Sequence, residues 1–508
     1  MRSESRETSA DPAVATPAPD GSAPHAPPGE TPARDEEGGD DQRAARAAGV
    51  RLPALAAFLA ALAVGAAVRA WQTGGRAPVP WNDTADFVAI SGEGWASVGL
   101  WAGARAPGVP VALKLVGGDG DRYVDLQAAG AVVCWAALCA SVATVVAGRW
   151  ARVVAVGAVL GFSLTTPVTM WDRSILSESP GVAALALVVA AGLQVARGLT
   201  WGRVALLAAA MVPWLAVRDT HAVVALVGGA AALAAAVGAA LVNRWRRRRS
   251  EDTSPSPERW SLPTAVLGAL SVGLGLLVLV GAAHGERQAF PTRNVYEVRI
   301  LPYPDRVRWF ADHGMPQAEE FLGPDARRPS REPGLPPVVY VPDDDPELGE
   351  WLAWVEGDGR TALARFALSH PTYLFREPMR VPERAFNNAR GDRSFYEPLD
   401  HPHVPLVDAL LAHRTSAVLL VAAPVGGWAI GRRRATPALV AGAVTAALAL
   451  PHGAVAWHSD GMETARHLVV PAIQFHLGVL LMVLGLLPAA ATTTREPPPA
   501  DGVASAHG

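Results

Sequence analysis

The chain has 508 residues, of which 50% are hydrophobic and only 18% charged, and its mean hydropathy is +0.20. That balance excludes an ordinary soluble globular protein and makes lipid the expected solvent. A net charge of −3 and a pI of about 6.5 exclude the broad basic surface of a nucleic-acid binder.

In chain order, residues 1–50 are rich in Pro, Ala, Ser, Asp and Glu and contain no Phe, Trp or Tyr. They cannot bury enough surface to offset chain entropy, so a disordered tail is expected. The first apolar run, from Leu52 to Ala70, lies too far into the chain for an ordinary signal peptide and reads as a membrane anchor. Runs of spanning length follow at 126–147, 152–170, 179–196, 202–217, 221–243, 262–283, 415–430, 436–456 and 467–488. Cys134 and Cys139 share one of these runs, so they read as small core residues rather than a disulfide framework or zinc site. The fold class expected is an all-α membrane protein of about ten transmembrane helices, about seven in an N-terminal domain over 51–284 and about three over 415–490. A second tail covers 491–508.

Between the two groups of spans, 285–414 is hydrophilic and broken by Pro and Gly. It carries Arg308-Trp309-Phe310 and the pair Trp351 and Trp354, and Leu348 to Leu368 has amphipathic helical character. It is expected to pack as a helical cap on the membrane domain.

Arginines fix the orientation, because short cytoplasmic loops collect them. Arg149 and Arg152, Arg197 and Arg203, Arg244 with the run from Arg246 to Arg249, and Arg432 to Arg434 fall in every second loop. They are cytoplasmic together only if both termini are, which makes 285–414 an extracytoplasmic cap and points the remaining polar loops outward. The absence of an internal repeat weighs against a transporter built from inverted repeats.

The outward loops hold the candidate site residues. In Trp81-Asn82-Asp83-Thr84-Ala85-Asp86-Phe87, Asp83 and Asp86 share a helical face. They suit either N-terminal capping or general-base chemistry at the membrane surface. In Trp171-Asp172-Arg173-Ser174-Ile175-Leu176-Ser177-Glu178, the glutamate opens an apolar span, where an ionisable group needs a cavity or a partner, or serves the helix dipole. Arg218-Asp219-Thr220-His221 is a turn of only a few residues between two spans and equally suits a solvated surface. Glu463, Arg466 and His467 fall on one face at the start of the final span; capping accounts for the glutamate, whereas the Arg and His pair suits a phosphate.

At these residues the chain resembles the GT-C class of polytopic glycosyltransferases, particularly bacterial members grouped with the family 39 protein mannosyltransferases. Asp83-Thr84 with Phe87 is similar to the Asp-Ser/Thr-x-x-Tyr/Phe element of their first outer loop. Arg105-Ala-Pro107-Gly108-Val-Pro110 resembles the Arg-x-Pro-Gly-Tyr-Pro stretch that follows it, with Val109 in place of Tyr. Leu176-Ser177-Glu178 resembles the Leu-Ser/Thr-Glu element that opens the fourth span. The cap after the seventh span carries no recognisable acceptor-binding element of that class, which leaves the acceptor open.

The resemblance implies a GT-C-like membrane fold and transfer of a sugar from a polyprenyl-phosphate donor to a glycan, lipid or protein acceptor of the cell envelope, at the outer face of the cytoplasmic membrane. Asp83 would be the base, with Asp86 beside it. Arg105, Asp172, Arg173, Glu178, Arg218, Asp219, His221, Glu463, Arg466 and His467 would bind substrate, and Arg218, Arg466 and His467 would stabilise the leaving phosphate. The residues name no certain cofactor; a divalent cation, Mg or Mn, bridging Asp83, Asp86 or Glu178 to the phosphate is compatible with the carboxylates, although nothing in the spacing demands it. The rival readings are a transporter or flippase of lipid-linked sugars and a non-catalytic envelope-assembly subunit.

Overall fold

A computed structural model describes residues 58–249, 261–287, 289–323, 326–330, 337–379, 402, 404–406, 436–461 and 464–487. The expected span 415–430, both tails and Glu463 lie outside the described residues. Among the described residues the architecture is helical, and the only β pairings are the isolated bridges of Val79 with Ser174 and Ser330 with Val338.

The first helix, α1, covers Phe58–Thr73. Three short helices follow, α2 (Thr84–Ser91), α3 (Val98–Ala102) and α4 (Gly108–Leu115). The long helices begin with α5 (Gly120–Val145), α6 (Arg149–Ser163) and the one-turn α7 (Thr166–Thr169). Then come α8 (Glu178–Ala196), α9 (Trp201–Val217), α10 (Asp219–Arg249) and α11 (Ser261–His284). After the cap, α17 (Pro437–His458), the one-turn α18 (Thr464–His467) and α19 (Val469–Leu484) return to the bundle.

Five of these helices are long and apolar enough to cross a membrane: α5, α8, α10, α11 and α17, the α10 span running from Asp219 to Trp245 and the α11 span from Leu262 to His284. Helices α1, α9 and α19 are apolar but shorter. The expected span 152–170 is broken: α6 ends at Ser163, and Pro167 sits in the first turn of a separate helix, where its missing N–H costs nothing.

Local chemistry accounts for the helix starts. The side chain of Asp119 caps α5 by accepting from the Arg122 amide at 3.0 Å. Thr436 caps α17 in the same way ahead of Pro437 at the first position. Packing between long helices uses small residues. A Cβ on Gly442 of α17 would stand 2.6 Å from the Gly478 carbonyl of α19, and one on Gly229 of α10 would stand 2.8 Å from the Gly268 carbonyl of α11. Such backbone approach is the usual device for joining helices that gain no hydrophobic stabilisation from leaving lipid.

The outward faces of the long helices expose Val133, Val153, Leu206, Val237, Leu276, Leu277, Val280 and Leu450, a surface suited to lipid rather than water. Exposed tryptophans mark both ends of the bundle, with Trp71, Trp95 and Trp101 at one end and Trp150, Trp201 and Trp245 at the other. This is the placement of interfacial aromatic belts. Helix α8 is the most enclosed of the five, and it packs against α5, α9, α17 and α19.

Between α11 and α17 lie α12 (Ala289–Val295) with its π-turn Tyr296–Ile300, α13 (Pro304–Ala311), α14 (Gly349–Trp354), α15 (Arg360–Ser369) and α16 (Pro371–Met379). A second π-turn, Val355–Gly359, links α14 to α15, so the amphipathic stretch foreseen over Leu348 to Leu368 is helical from Gly349 onward. The cap has its own aromatic core: Tyr296, Val307, Phe310, Trp351 and Phe366 are buried together. It also touches α17 and the turn after it, as His458 bonds to the Leu374 carbonyl at 3.1 Å.

Candidate functional site

The segment before α8 is tied to the segment before α2. The Val79 amide donates to the Arg173 carbonyl at 2.8 Å, and the Ile175 amide to the Val79 carbonyl at 3.3 Å. Thr84 Oγ1 accepts from the Trp81 amide and donates to the Ile175 carbonyl. From α5, Tyr123 and Gln127 bond to the carbonyls of Leu176 and Asp172. These contacts hold the Asp83 turn beside the first residue of α8, Glu178.

Asp83 stands at the N-cap position of α2, yet its side chain makes no capping bond. Its carboxylate lies between two guanidiniums, with Oδ1 2.8 Å from Arg105 Nη2 and Oδ2 2.7 Å from Arg466 Nη2. The capping reading of Asp83 is thereby replaced by ion pairing. Asp86, one turn on and 51% exposed, also meets Arg105 Nη2, at 2.7 Å. The shared helical face of the two aspartates serves one arginine.

Arg105 is delivered by the Arg-Ala-Pro-Gly stretch. A Cβ on Gly108 would meet the Ala216 carbonyl at 2.9 Å, so only glycine lets α4 start hard against the end of α9. The same end of α9 carries Arg218.

Glu178 is fully buried, and neither carboxylate oxygen has a hydrogen-bond partner among the described residues. Ion pairing compensates, since Oε1 lies 3.2 Å from Arg218 Nη2 and 3.4 Å from Arg466 Nε. Arg218 Nη2 also approaches His467 Nδ1 at 2.5 Å, and His467 Nε2 lies 3.1 Å from Asp460 Oδ2. The result is a continuous ionic chain: Asp86, Arg105, Asp83, Arg466, Glu178, Arg218, His467, Asp460. It draws on the starts of α2 and α8, the segment before α4, the turn between α9 and α10, and the segment between α17 and α19.

Arg466 and His467 were expected on the first turns of the final span; they occupy the separate turn α18, and α19 begins only at Val469. Burial raises the pKa of Asp83, but the charges of Arg466 and Arg105 and the Arg466 hydrogen bond outweigh it, so the carboxyl is held below its ordinary range.

Four of the sequence candidates stand outside this chain. Asp172 is fully buried against Arg69 of α1, with contacts of 2.7 and 2.9 Å, and accepts from Ser179 Oγ at 2.6 Å. It anchors α1 to the start of α8. Arg173 donates to the Ala77 carbonyl. Asp219 pairs with Arg287 at 2.8 Å, and Arg287 also bonds to the carbonyls of Gly103 and Trp101. His221 is buried, stacked on Trp214 with ring centroids 4.5 Å apart, and bonds through Nδ1 to the Trp214 carbonyl. It lies edge-on to His452, which bonds to Gln474.

Sequence reasoning missed the cap's share. Asn294 Nδ2 donates to Asp460 Oδ1 at 3.3 Å, and Arg299 Nη2 donates to Thr464 Oγ1 at 2.9 Å. A Cβ on Gly461 would stand 2.1 Å from the Asn294 carbonyl, so the Asp460-Gly461 step is what lets the cap close on this turn. A glycine beside a lone aspartate between two spans was the available signal. Arg299 also lies over the Trp457 ring at 4.4 Å, and burial lowers its pKa to about 10.

No protein family, curated protein or solved structure matches this chain. Chemically, the cluster offers three guanidiniums that could hold a phosphate and one ionised carboxylate at their rim that could take a proton. No group of three or more His, Cys, Asp or Glu among the described residues is placed to hold a metal ion.

Proposed function

We propose that the chain is a multi-pass membrane glycosyltransferase of GT-C type, with ten spans and both termini cytoplasmic. It would move a sugar from a polyprenyl-phosphate donor to an envelope acceptor on the outer face of the cytoplasmic membrane. The observation that carries this reading is the convergence of Asp83, Arg105, Glu178, Arg218, Arg466 and His467 in one cluster. The three sequence elements that resemble the glycosyltransferases each supply a residue to it.

In the proposed reaction, Asp83 accepts the proton of an acceptor hydroxyl as that oxygen attacks the anomeric carbon. The bond from the anomeric carbon to the phosphate oxygen breaks, and the electron pair leaves with the polyprenyl phosphate. The leaving group's growing negative charge falls to Arg218, Arg466 and His467. A single displacement inverts the anomeric configuration. While Arg105 and Arg466 both hold Asp83, its depressed pKa makes it a weak base. Transfer of Arg466 to the phosphate would release part of that hold and raise its basicity when the donor is in place.

A lipid-linked-sugar flippase could use the same arginines without a base. Purified protein given a synthetic polyprenyl-phosphate sugar and an envelope extract separates the two. Turnover with inversion supports the enzyme, and lipid movement without turnover supports the flippase.

A further inference from the structure

A second set of buried polar groups lies where the cap meets the end of α17, outside the ionic chain. Arg299 belongs to the π-turn Tyr296–Ile300, all five of whose residues are buried, and such turns often mark functional sites. It is only 5% exposed. Its Nη2 donates to Thr464 Oγ1 at 2.9 Å and to the Asp460 carbonyl at 3.4 Å. Its Nε has no hydrogen-bond partner, and among the described residues no carboxylate forms an ion pair with it. A buried guanidinium without a counter-ion is costly, because the lost hydration is not replaced. The face of Trp457, 4.4 Å away, offsets part of that cost. Burial lowers the Arg299 pKa to about 10 against the opposing pull of Tyr373, Glu377 and Asp460.

Three neighbouring groups are in the same condition. Trp457 Nε1, the Tyr373 hydroxyl and His458 Nδ1 are each buried with no hydrogen-bond partner among the described residues. The four side chains adjoin in series: Arg299 lies over the Trp457 ring, His458 follows Trp457 at the end of α17, and the Tyr373 ring of α16 stands 4.9 Å from the His458 ring. Arg306 also packs on Tyr373, 5.0 Å from its ring, and pairs with Glu377 at 2.8 Å. Arg299 Nε–H and Trp457 Nε1–H can only donate, and the tyrosine hydroxyl can donate. His458 Nε2 faces the Leu374 carbonyl, which only accepts, so Nδ1 is the ring atom left to meet a ligand. What these groups lack is an acceptor, and beside an unpaired guanidinium the strongest acceptor is an anion.

We propose that this seam is an anion-binding subsite for the acidic group, carboxylate or phosphate, of the glycan that accepts the sugar. The inference rests on the glycosyl-transfer reading of the ionic chain and deepens it by naming the acceptor as an acidic glycan. The two sites share the turn α18: Thr464 bonds to Arg299, and Arg466, two residues on, bonds to Asp83. An acceptor anchored by its acid at Arg299 is thus held close to the base that must reach its hydroxyl. Because Arg299 is nearly enclosed, the ligand reaches it only as the cap parts from the end of α17, where the direct bonds include those of His458 to Leu374 and Arg299 to Thr464. A bound anion should then draw the two together and slow amide exchange in the π-turn.

The test is equilibrium binding to the full chain in detergent, by saturation-transfer NMR, of methyl β-glucuronide, glycerol 3-phosphate and the neutral methyl β-glucoside. At least one anionic probe should bind and protect the π-turn amides, with the glucoside about tenfold weaker or more; which of the two anions binds tells a carboxylate from a phosphate source. Arg299→Gln keeps a hydrogen-bonding head without the charge and should weaken the anion by about tenfold or more. Tyr373→Phe should weaken it by about two- to tenfold, yet leave the unliganded protein as stable as wild type or more so, because it deletes an unpaired buried hydroxyl; it keeps the test open should Arg299→Gln not fold. Glucoside binding as tight as the anions overturns the inference, as does the absence of anion binding, since solvent alone then serves these groups. Anion binding that Arg466→Ala abolishes and that Arg299→Gln and Tyr373→Phe leave intact belongs to the ionic chain and overturns it too. Transfer from a synthetic polyprenyl-phosphate sugar to neutral acceptors as fast as to acidic ones overturns the inference and leaves the glycosyl-transfer reading standing. Binding through Arg299 in a protein without transfer activity overturns the acceptor role and that reading together, and leaves only an anion site.

Discussion

Replacing Asp83 with Asn separates the roles open to this residue. A carboxylate that only capped α2 would be exchanged for an equally good cap, with nearly unchanged stability. In the structure no capping bond exists to preserve. What Asp83→Asn removes is the ionic part of two hydrogen bonds, to Arg105 at 2.8 Å and to Arg466 at 2.7 Å, in a side chain only 17% exposed. Charge-assisted bonds are roughly twice as strong as neutral ones, so the loss is about 1 kcal/mol each, or about 2 kcal/mol in all. Because the carboxyl is held below its ordinary pKa, this stability is fully present above the unfolded value and is lost as pH falls through the folded one. The gap between wild type and variant should therefore be constant from about pH 5 upward and close below about pH 4. Activity should fall further, by about 10²–10⁴ in rate with donor binding largely kept. Asp86→Asn, at an exposed position paired with Arg105 alone, should cost under about 1 kcal/mol and leave most of the activity. Thermal unfolding in detergent and transfer from a synthetic polyprenyl-phosphate sugar measure both quantities. Full transfer activity in Asp83→Asn would refute the assignment of the base.

Arg466→Ala and His467→Ala should each cost on the order of 2–4 kcal/mol in transition-state stabilisation, read as kcat/KM for the donor; wild-type rates in correctly inserted protein would remove both from the phosphate site. Arg69→Met, which strands the fully buried Asp172, should destabilise by about 3–5 kcal/mol, and the double change with Asp172→Leu should recover much of it. Equal melting of the single variant and wild type would contradict an anchoring role for that pair. A reporter active only outside the cytoplasm should work when inserted near Pro333 and fail when fused after Gly508; the reverse pattern would invert the proposed orientation.

The long helices were legible because an apolar run of spanning length has few alternatives. Starts and stops were read within a few residues for α8, α9 and α11, where Ser177, Thr200 and His284 bound the runs. The break between α6 and α7 was not, since Thr165, Thr166 and Pro167 carry no charge and are flanked by apolar residues, which leaves the run unmarked. In the site, short spacing brought Asp83 and Asp86 to one partner, Arg105, whereas the adjacent Arg466 and His467 face different ones, Arg466 meeting Asp83 and Glu178 and His467 meeting Arg218 and Asp460. What spacing could not supply was the distant partner. Asp172 reads as a site acid until Arg69, 103 positions earlier, is seen to hold it, and Asp219 is claimed in the same way by Arg287, 68 positions later. Conversely, spacing gives no reason to single out Asp460, whose place in the cluster comes from Asn294 and Arg299 across the cap contact.

The most direct test of the central claim is a lipid and glycan comparison, by mass spectrometry, of cells with and without the gene, complemented with wild type or Asp83→Asn. Loss of a glycosyltransferase should make a polyprenyl-phosphate sugar accumulate and remove one sugar from an envelope glycan, with wild type restoring both and Asp83→Asn restoring neither. An unchanged lipid pool and unchanged glycans on deletion, or full restoration by Asp83→Asn, would contradict the account.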